Sequence, residues 1–151
     1  MKFARTFAIV GIAAASAVSF SLARADFGKK EHHIVFQVSR GDAPTMNLTL
    51  NNIVNVAQEY SASGDSVEIE VVAYGPGLTM LRNDNSPVKD RLKSIKESIP
   101  DVTFSACGNT LAKAEKTEGK KIELAPEARM VKAGVIRLAE LQEKGWTYIK
   151  P

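Results

Sequence analysis

Between residues 34 and 149, short β-branched apolar runs alternate with stretches of helical period. That alternation constrains the fold more than any single motif does. The strand-type runs are Ile34 to Val38, Val67 to Tyr74, Val102 to Ala106, Ala128 to Val131 and Trp146 to Ile149. Met46, Leu50, Ile53, Val54 and Ala57 make the first helical stripe, with Pro44 near its start and Gly64 past its end. Val88, Leu92, Ile95 and Ile99 make the second, opened by Ser86-Pro87 and stopped by Pro100. Thr110 to Lys116 and Val135 to Lys144 supply the third and fourth, and a short helical turn is predicted over Leu78 to Leu81. Five strands separated by four helices require right-handed crossovers. They predict an α/β fold: a single-domain parallel five-stranded sheet with helices on both faces, layered as in flavodoxin.

The first 25 residues stand apart from that pattern. Lys2 and Arg5 precede an apolar run from Phe7 to Phe20, and Ala23-Arg24-Ala25 follows with small residues at the positions a signal peptidase reads. The run is short for a membrane span, which needs about 20 residues, so a cleaved signal is expected rather than an uncleaved anchor. The expectation is a signal peptide over 1–25, cleavage after Ala25, and a periplasmic α/β domain over 26–151. The formal charge of +3 belongs to this segment, which holds three basic residues and no acid; the remainder balances at 17 basic against 17 acidic. A neutral body offers no electrostatic case for nucleic acid, and no later segment is apolar enough to hold a membrane. The one cysteine, Cys107, excludes an internal disulfide framework and any multi-cysteine metal site.

In open parallel sheets, ligands collect beyond the carboxyl ends of the strands. Here those ends are Arg40-Gly41-Asp42, Gly75-Pro76-Gly77, Cys107-Gly108-Asn109 and Lys132-Ala133-Gly134. Cys107 falls between a strand end and a helix start, read as a turn, where unpaired N–H groups and the helix dipole favour the thiolate. A buried inert thiol is the alternative. Gly108 lets backbone approach a ligand, and Asn109 or Thr110 can cap the helix. Arg40 and Lys132 are candidate cations for a thiolate or an anionic sulfur compound. Gly75 and Gly77 could present N–H donors to an anion or simply form a tight turn. They do not make a dinucleotide fingerprint. His32 and His33 point to opposite faces of a strand and lie at its far end, so they pair neither with Cys107 nor with each other. Met46 and Met80 are soft donors that could join Cys107 around Cu(I), or core filler. Asn47, Asn51 and Asn55 form a polar stripe that reads as a wet face or a subunit contact. Nothing in these motifs calls for a cofactor.

The stretch Val71-Val72-Ala73-Tyr74-Gly75-Pro76-Gly77-Leu78, then Ala106-Cys107-Gly108-Asn109-Thr110-Leu111, then Gly134-Val135 through Gly145-Trp146-Thr147-Tyr148-Ile149, together resemble the DsrE/DsrF-like family over about His32 to Pro151. The resemblance implies a small parallel α/β sandwich assembled into trimers or hexamers. It also implies a sulfur relay in which a strand-end cysteine, here Cys107, carries a persulfide. Its best-understood members work in the cytoplasm, whereas this chain carries an export pattern and no second cysteine. A periplasmic sulfur carrier or sulfurtransferase is therefore expected, exchanging sulfur with a thiol-bearing partner protein or a small sulfur compound. The alternative is a non-catalytic module binding a small ligand, a partner or copper. A homo-oligomer is expected in either case, on the resemblance and on the apolar terminal strand with Trp146.

Overall fold

The computed structural model describes residues 28–151; the expected signal peptide lies outside them. No helix among the described residues is long and apolar enough to cross a membrane. The strands are β1 (Glu31–Val38), β2 (Ser66–Ala73), β3 (Val102–Cys107), β4 (Ala128–Val131) and β5 (Thr147–Ile149). They form one sheet in the order β4-β3-β2-β1-β5, and every pairing is parallel. The fold class read from the sequence is the one observed.

Helix α1 (Ala43–Ala62) connects β1 to β2. Its N-cap is Asp42, whose side chain accepts the Thr45 N–H at 2.9 Å and the Thr45 hydroxyl at 2.8 Å. That backbone bond, with Arg40 beside it, holds the Asp42 carboxyl down at about 2. A 3-10 helix over Gly75–Leu81 and α2 (Lys89–Ser98) lead to β3, α3 (Gly108–Glu118) leads to β4, and α4 (Gly134–Glu143) leads to β5. The chain steps one way across the sheet from β1 to β4 and then returns past three strands to β5. Right-handed crossovers put the first three connections on one face and the returning helix on the other.

The packing follows that division. Ile34, Phe36 and Val38 of β1, Ile69, Val71 and Ala73 of β2, and Phe104 and Ala106 of β3 all point to the α1–α2 side. They close there on Met46, Leu50 and Ile53 of α1 and on Leu92 and Ile95 of α2. The alternate residues Val35 and Val72 meet Leu138 and Leu141 of α4, with Tyr74 and Trp146 at the margin. One ten-residue helix does not cover that second face, so polar residues occupy it as well: Glu70 and Ser105 are buried there.

Both histidines lie at the beginning of β1, as expected: His32 stacks on Tyr60 with ring centroids 3.8 Å apart, and His33 tilts against Trp146. Three local expectations are corrected. α2 begins at Lys89 rather than directly after Ser86, whose hydroxyl accepts the Val88 N–H at 3.3 Å and donates to the Met80 carbonyl at 2.6 Å. Cys107-Gly108-Asn109 is no turn, since β3 runs straight into α3. The asparagine stripe is exposed at Asn51 and Asn55 but is also used within the chain: Arg91 of α2 donates to Asn47 Oδ1 at 2.6 Å and to Asn51 Oδ1 at 2.8 Å.

Candidate functional site

Cys107 is both the last residue of β3 and the N-cap of α3. The first N–H groups of a helix have no partner inside it. The Cys107 side chain makes no capping hydrogen bond to that turn, but the N–H groups of Asn109 and Thr110, and that of Gly134 at the start of α4, face its sulfur and favour the thiolate. The Thr110 hydroxyl acts in the same direction, more strongly than any of the three. The orientation of that hydroxyl has a cause. The Gly75 N–H donates to Thr110 Oγ1 at 3.1 Å, occupying a lone pair and leaving the hydroxyl hydrogen for sulfur. The Asn109 N–H donates to the Lys132 carbonyl at 3.3 Å.

Two helix N-termini therefore converge on one sulfur atom, each a centre of positive partial charge. Burial leaves Cys107 only 5% exposed and pushes its thiol up. The Thr110 hydroxyl and the N–H groups of Gly134, Thr110 and Asn109 push it down and prevail, so the thiol is more acidic than an ordinary one. Gly134 is glycine for a steric reason. A Cβ there would lie 3.1 Å from Tyr74 Cβ and 3.2 Å from Cys107 Cβ, so a side chain would push α4 or its neighbours apart by a few tenths of an ångström.

The remaining strand-end residues fall into two groups. Gly108 brings the first turn of α3 against β4, where an added Cβ would meet the Val131 carbonyl at 3.1 Å, and Asn109 and Lys132 flank the thiol. Gly75 reaches the thiol through Thr110, adopting φ +53 to do so. Gly77 serves packing, because a Cβ there would collide with the Val38 carbonyl. Arg40 stays at its own strand end, mostly exposed, with Nε on Asp42 Oδ2 at 2.9 Å. Two strand spacings, roughly 10 Å, separate β1 from β3, so Arg40 is not gathered with the thiol.

The copper alternative is corrected by the same register. Met46 and Met80 are fully buried on the α1 face, whereas Cys107 alternates with Ala106 and points to the α4 face. The sheet stands between the thiol and both thioethers. Among the described residues no group of three or more His, Cys, Asp or Glu is placed to hold a metal ion.

A cavity of about 620 Å³ opens beside the thiol between β4 and α4. Cys107 itself is not part of the lining, but its neighbours are: Asn109 two residues on and Val131, its cross-strand partner, with Ala133 beyond. Arg129, Lys132 and Arg137 bring cations to the lining. Behind it lies Glu70, hydrogen-bonded to Ser105, Arg129 and Arg137. Apart from Lys132 and Asn109, sequence reading passed over these residues and over the role of Thr110 as a donor to sulfur. The one available signal was the alternation at Val67 to Glu70, which places a carboxylate on the less apolar face of β2.

A family model described as the DsrE/DsrF-like family matches residues 32–151. Among solved structures, that of MTH1491, a protein of unknown function from Methanobacterium thermoautotrophicum, is 31% identical with a TM-score of 0.65. The match covers 80% of this chain and 99% of that one. No curated protein matches the chain.

Proposed function

We infer function from one premise, that the chain belongs to the DsrE/DsrF-like family, a membership that points to a sulfur relay-like role. The reading is a sulfur carrier in which Cys107 holds the sulfur as a persulfide. The observation that carries it is the seat of Cys107 at the end of β3, at the N-cap of α3 and against Gly134 at the start of α4, where the surrounding N–H groups and the Thr110 hydroxyl make its thiol more acidic than an ordinary one. Such a setting stabilises the thiolate, which is the attacking form, and makes it a good leaving group. In the loading step Cys107 thiolate attacks the outer sulfur of a donor R–S–SH. A new S–S bond forms at Cys107, the old one breaks, and R–S⁻ leaves with the electron pair. In the unloading step an acceptor thiolate attacks the outer sulfur of the Cys107 persulfide, and Cys107 departs as the thiolate. No cofactor enters either step. The basic, apolar and small-residue pattern of residues 1–25 supports an exported setting with the acceptor thiol on a partner.

Incubation with polysulfide followed by intact-mass measurement tests the reading. The expected product is one or more sulfur atoms added to the wild-type protein and none to Cys107→Ser. An unmodified wild-type protein, or an equal adduct on the serine variant, refutes it.

A further inference from the structure

Glu70 lies in the middle of β2 and is 1% exposed, where an apolar side chain would pack without the desolvation penalty of a charge. Both its oxygens are fully engaged. Oε1 accepts from Ser105 Oγ at 2.7 Å and from Arg137 Nε at 2.9 Å. Oε2 accepts from Arg137 Nη2 at 2.7 Å and from Arg129 Nη2 at 3.0 Å. Arg129 is fixed a second time, by Nε on Ser105 Oγ at 3.2 Å. One carboxylate thus orders two guanidinium groups. Each guanidinium has five N–H donors and gives two to this network, so each keeps three for something else. Both line the cavity, and the exposed Lys132 stands with them. Glu140, the acid of the lining, is 3.8 Å from Arg137 Nη1 and offsets one charge. With Glu70 and Glu140 both counted, the wall stays net positive. Met130 and Ile136 add an apolar side, 64% and 56% exposed.

A carrier thiol needs none of this to hold a sulfur atom. We propose that the cavity between β4 and α4 binds the sulfur donor by an oxyanion, Arg129 and Lys132 holding the anionic group and Met130 and Ile136 the rest. The donor class is a low-molecular-mass sulfane-sulfur compound bearing a carboxylate or a sulfur oxyanion. The volume suits it, since small-molecule sites span roughly 300–1,000 Å³. A planar guanidinium locked by Glu70 presents a fixed fork to such a group, and locking before binding lowers the ordering cost. The identity of the transferred atom rests on the sulfur-carrier reading; the anion site rests on the cavity.

Two measurements separate these. Alkylation of Cys107 by iodoacetate and by iodoacetamide compares a carboxylate with its neutral counterpart and involves no sulfur transfer. The iodoacetate-to-iodoacetamide rate ratio is expected to fall about tenfold in Lys132→Gln and in Arg129→Gln, the worth of one charge-assisted hydrogen bond. Lys132 is exposed, so its variant keeps the test decisive should Arg129→Gln fail to fold. Loading is then followed by mass with polysulfide, thiosulfate and glutathione persulfide. Relative to polysulfide, loading by at least one oxyanion donor is expected to fall in both variants. Whether thiosulfate or glutathione persulfide shows the fall assigns the inorganic or the organic source. An alkylation ratio unchanged in both variants overturns the anion site whatever the donors do. No loading of wild type by any donor overturns the sulfur-carrier reading, while the alkylation ratio still decides the cavity.

Discussion

The acidity of Cys107 is assembled from neighbours that each do a second job. Thr110 opens α3 and accepts from Gly75, and Gly134 opens α4. Removing either donor isolates its share. Thr110→Val deletes the hydroxyl at nearly constant volume. Gly134→Ala favours helix by about 1 kcal/mol on propensity, yet its Cβ would press on Tyr74 and Cys107 and lift the N–H from sulfur. Both variants should move the pH midpoint of iodoacetamide alkylation upwards. Each should slow the reaction at pH 7 roughly fivefold, as loss of a hydrogen bond of about 1 kcal/mol implies. The coupling to stability has a fixed sign. The folded-state thiol is more acidic than the unfolded one, whose pKa is about 8.5. Its contribution is therefore complete above about pH 8.5 and is lost as pH falls through the folded value. Chemical denaturation of wild type against Cys107→Ser should show wild type gaining as pH rises through that window. A difference that is flat with pH would mean the donors do not favour the thiolate.

At the scale of elements, β2, β3, β4 and α4 are joined by a polar pin as well as by apolar packing. Arg137 pushes Glu70 down against the rise that burial alone would cause, and Ser105 and Arg129 help. Glu70→Gln keeps the shape and removes the charge that two arginines face. It should cost about 3 kcal/mol at pH 7, the lower end for breaking a buried pair, because Arg129 can turn to solvent. A depressed carboxyl contributes fully above its unfolded pKa of about 4.3 and loses that contribution as pH falls through the folded value. Urea unfolding should find the gap between wild type and Glu70→Gln constant above about pH 5 and closing in more acidic solution. The pin also marks where sequence reading stops. Alternation and helical period are local, so all five strands and all four helices were legible, and so was the cysteine at its strand end. Glu70 meets Arg137 across 67 residues and Arg129 across 59, and a single sequence does not say which distant charges meet. Glycine and asparagine after Cys107 resemble turn residues, yet Gly108 is there for the approach of α3 to the Val131 carbonyl. Ser86 has the chemistry of a cap and accepts the Val88 N–H at 3.3 Å, yet the helix proper begins only at Lys89.

Over the whole molecule, the order β4-β3-β2-β1-β5 leaves one helix for the second face and two short edge strands, of four and three residues. Two of the sequence grounds for oligomerisation are used up inside the chain. Trp146 packs beside Val35, Val72, Leu138 and Leu141, and Asn47 and Asn51 hold Arg91. A different ground takes their place. Met130 on the edge strand and Ile136 on the first turn of α4 are 64% and 56% exposed and line the cavity, and Val135, next to Ile136 in the chain, is 62% exposed. Apolar side chains clustered at a sheet edge are a surface that soluble proteins usually cover. The proposed cover is a second copy of this chain, in the trimer or hexamer that the family resemblance implies. A neighbour seated there would roof the cavity and shield the persulfide from stray thiols while leaving Cys107 its own donors. Val135 is outside the cavity lining, so Val135→Glu tests the surface without touching the anion site. Light scattering on residues 26–151 should give a mass of three or six chains, and Val135→Glu should lower it towards one chain. A single-chain mass for wild type at every concentration would leave the rim open to solvent. The cavity would then be complete within one chain, and its selectivity would rest on Arg129 and Lys132 alone.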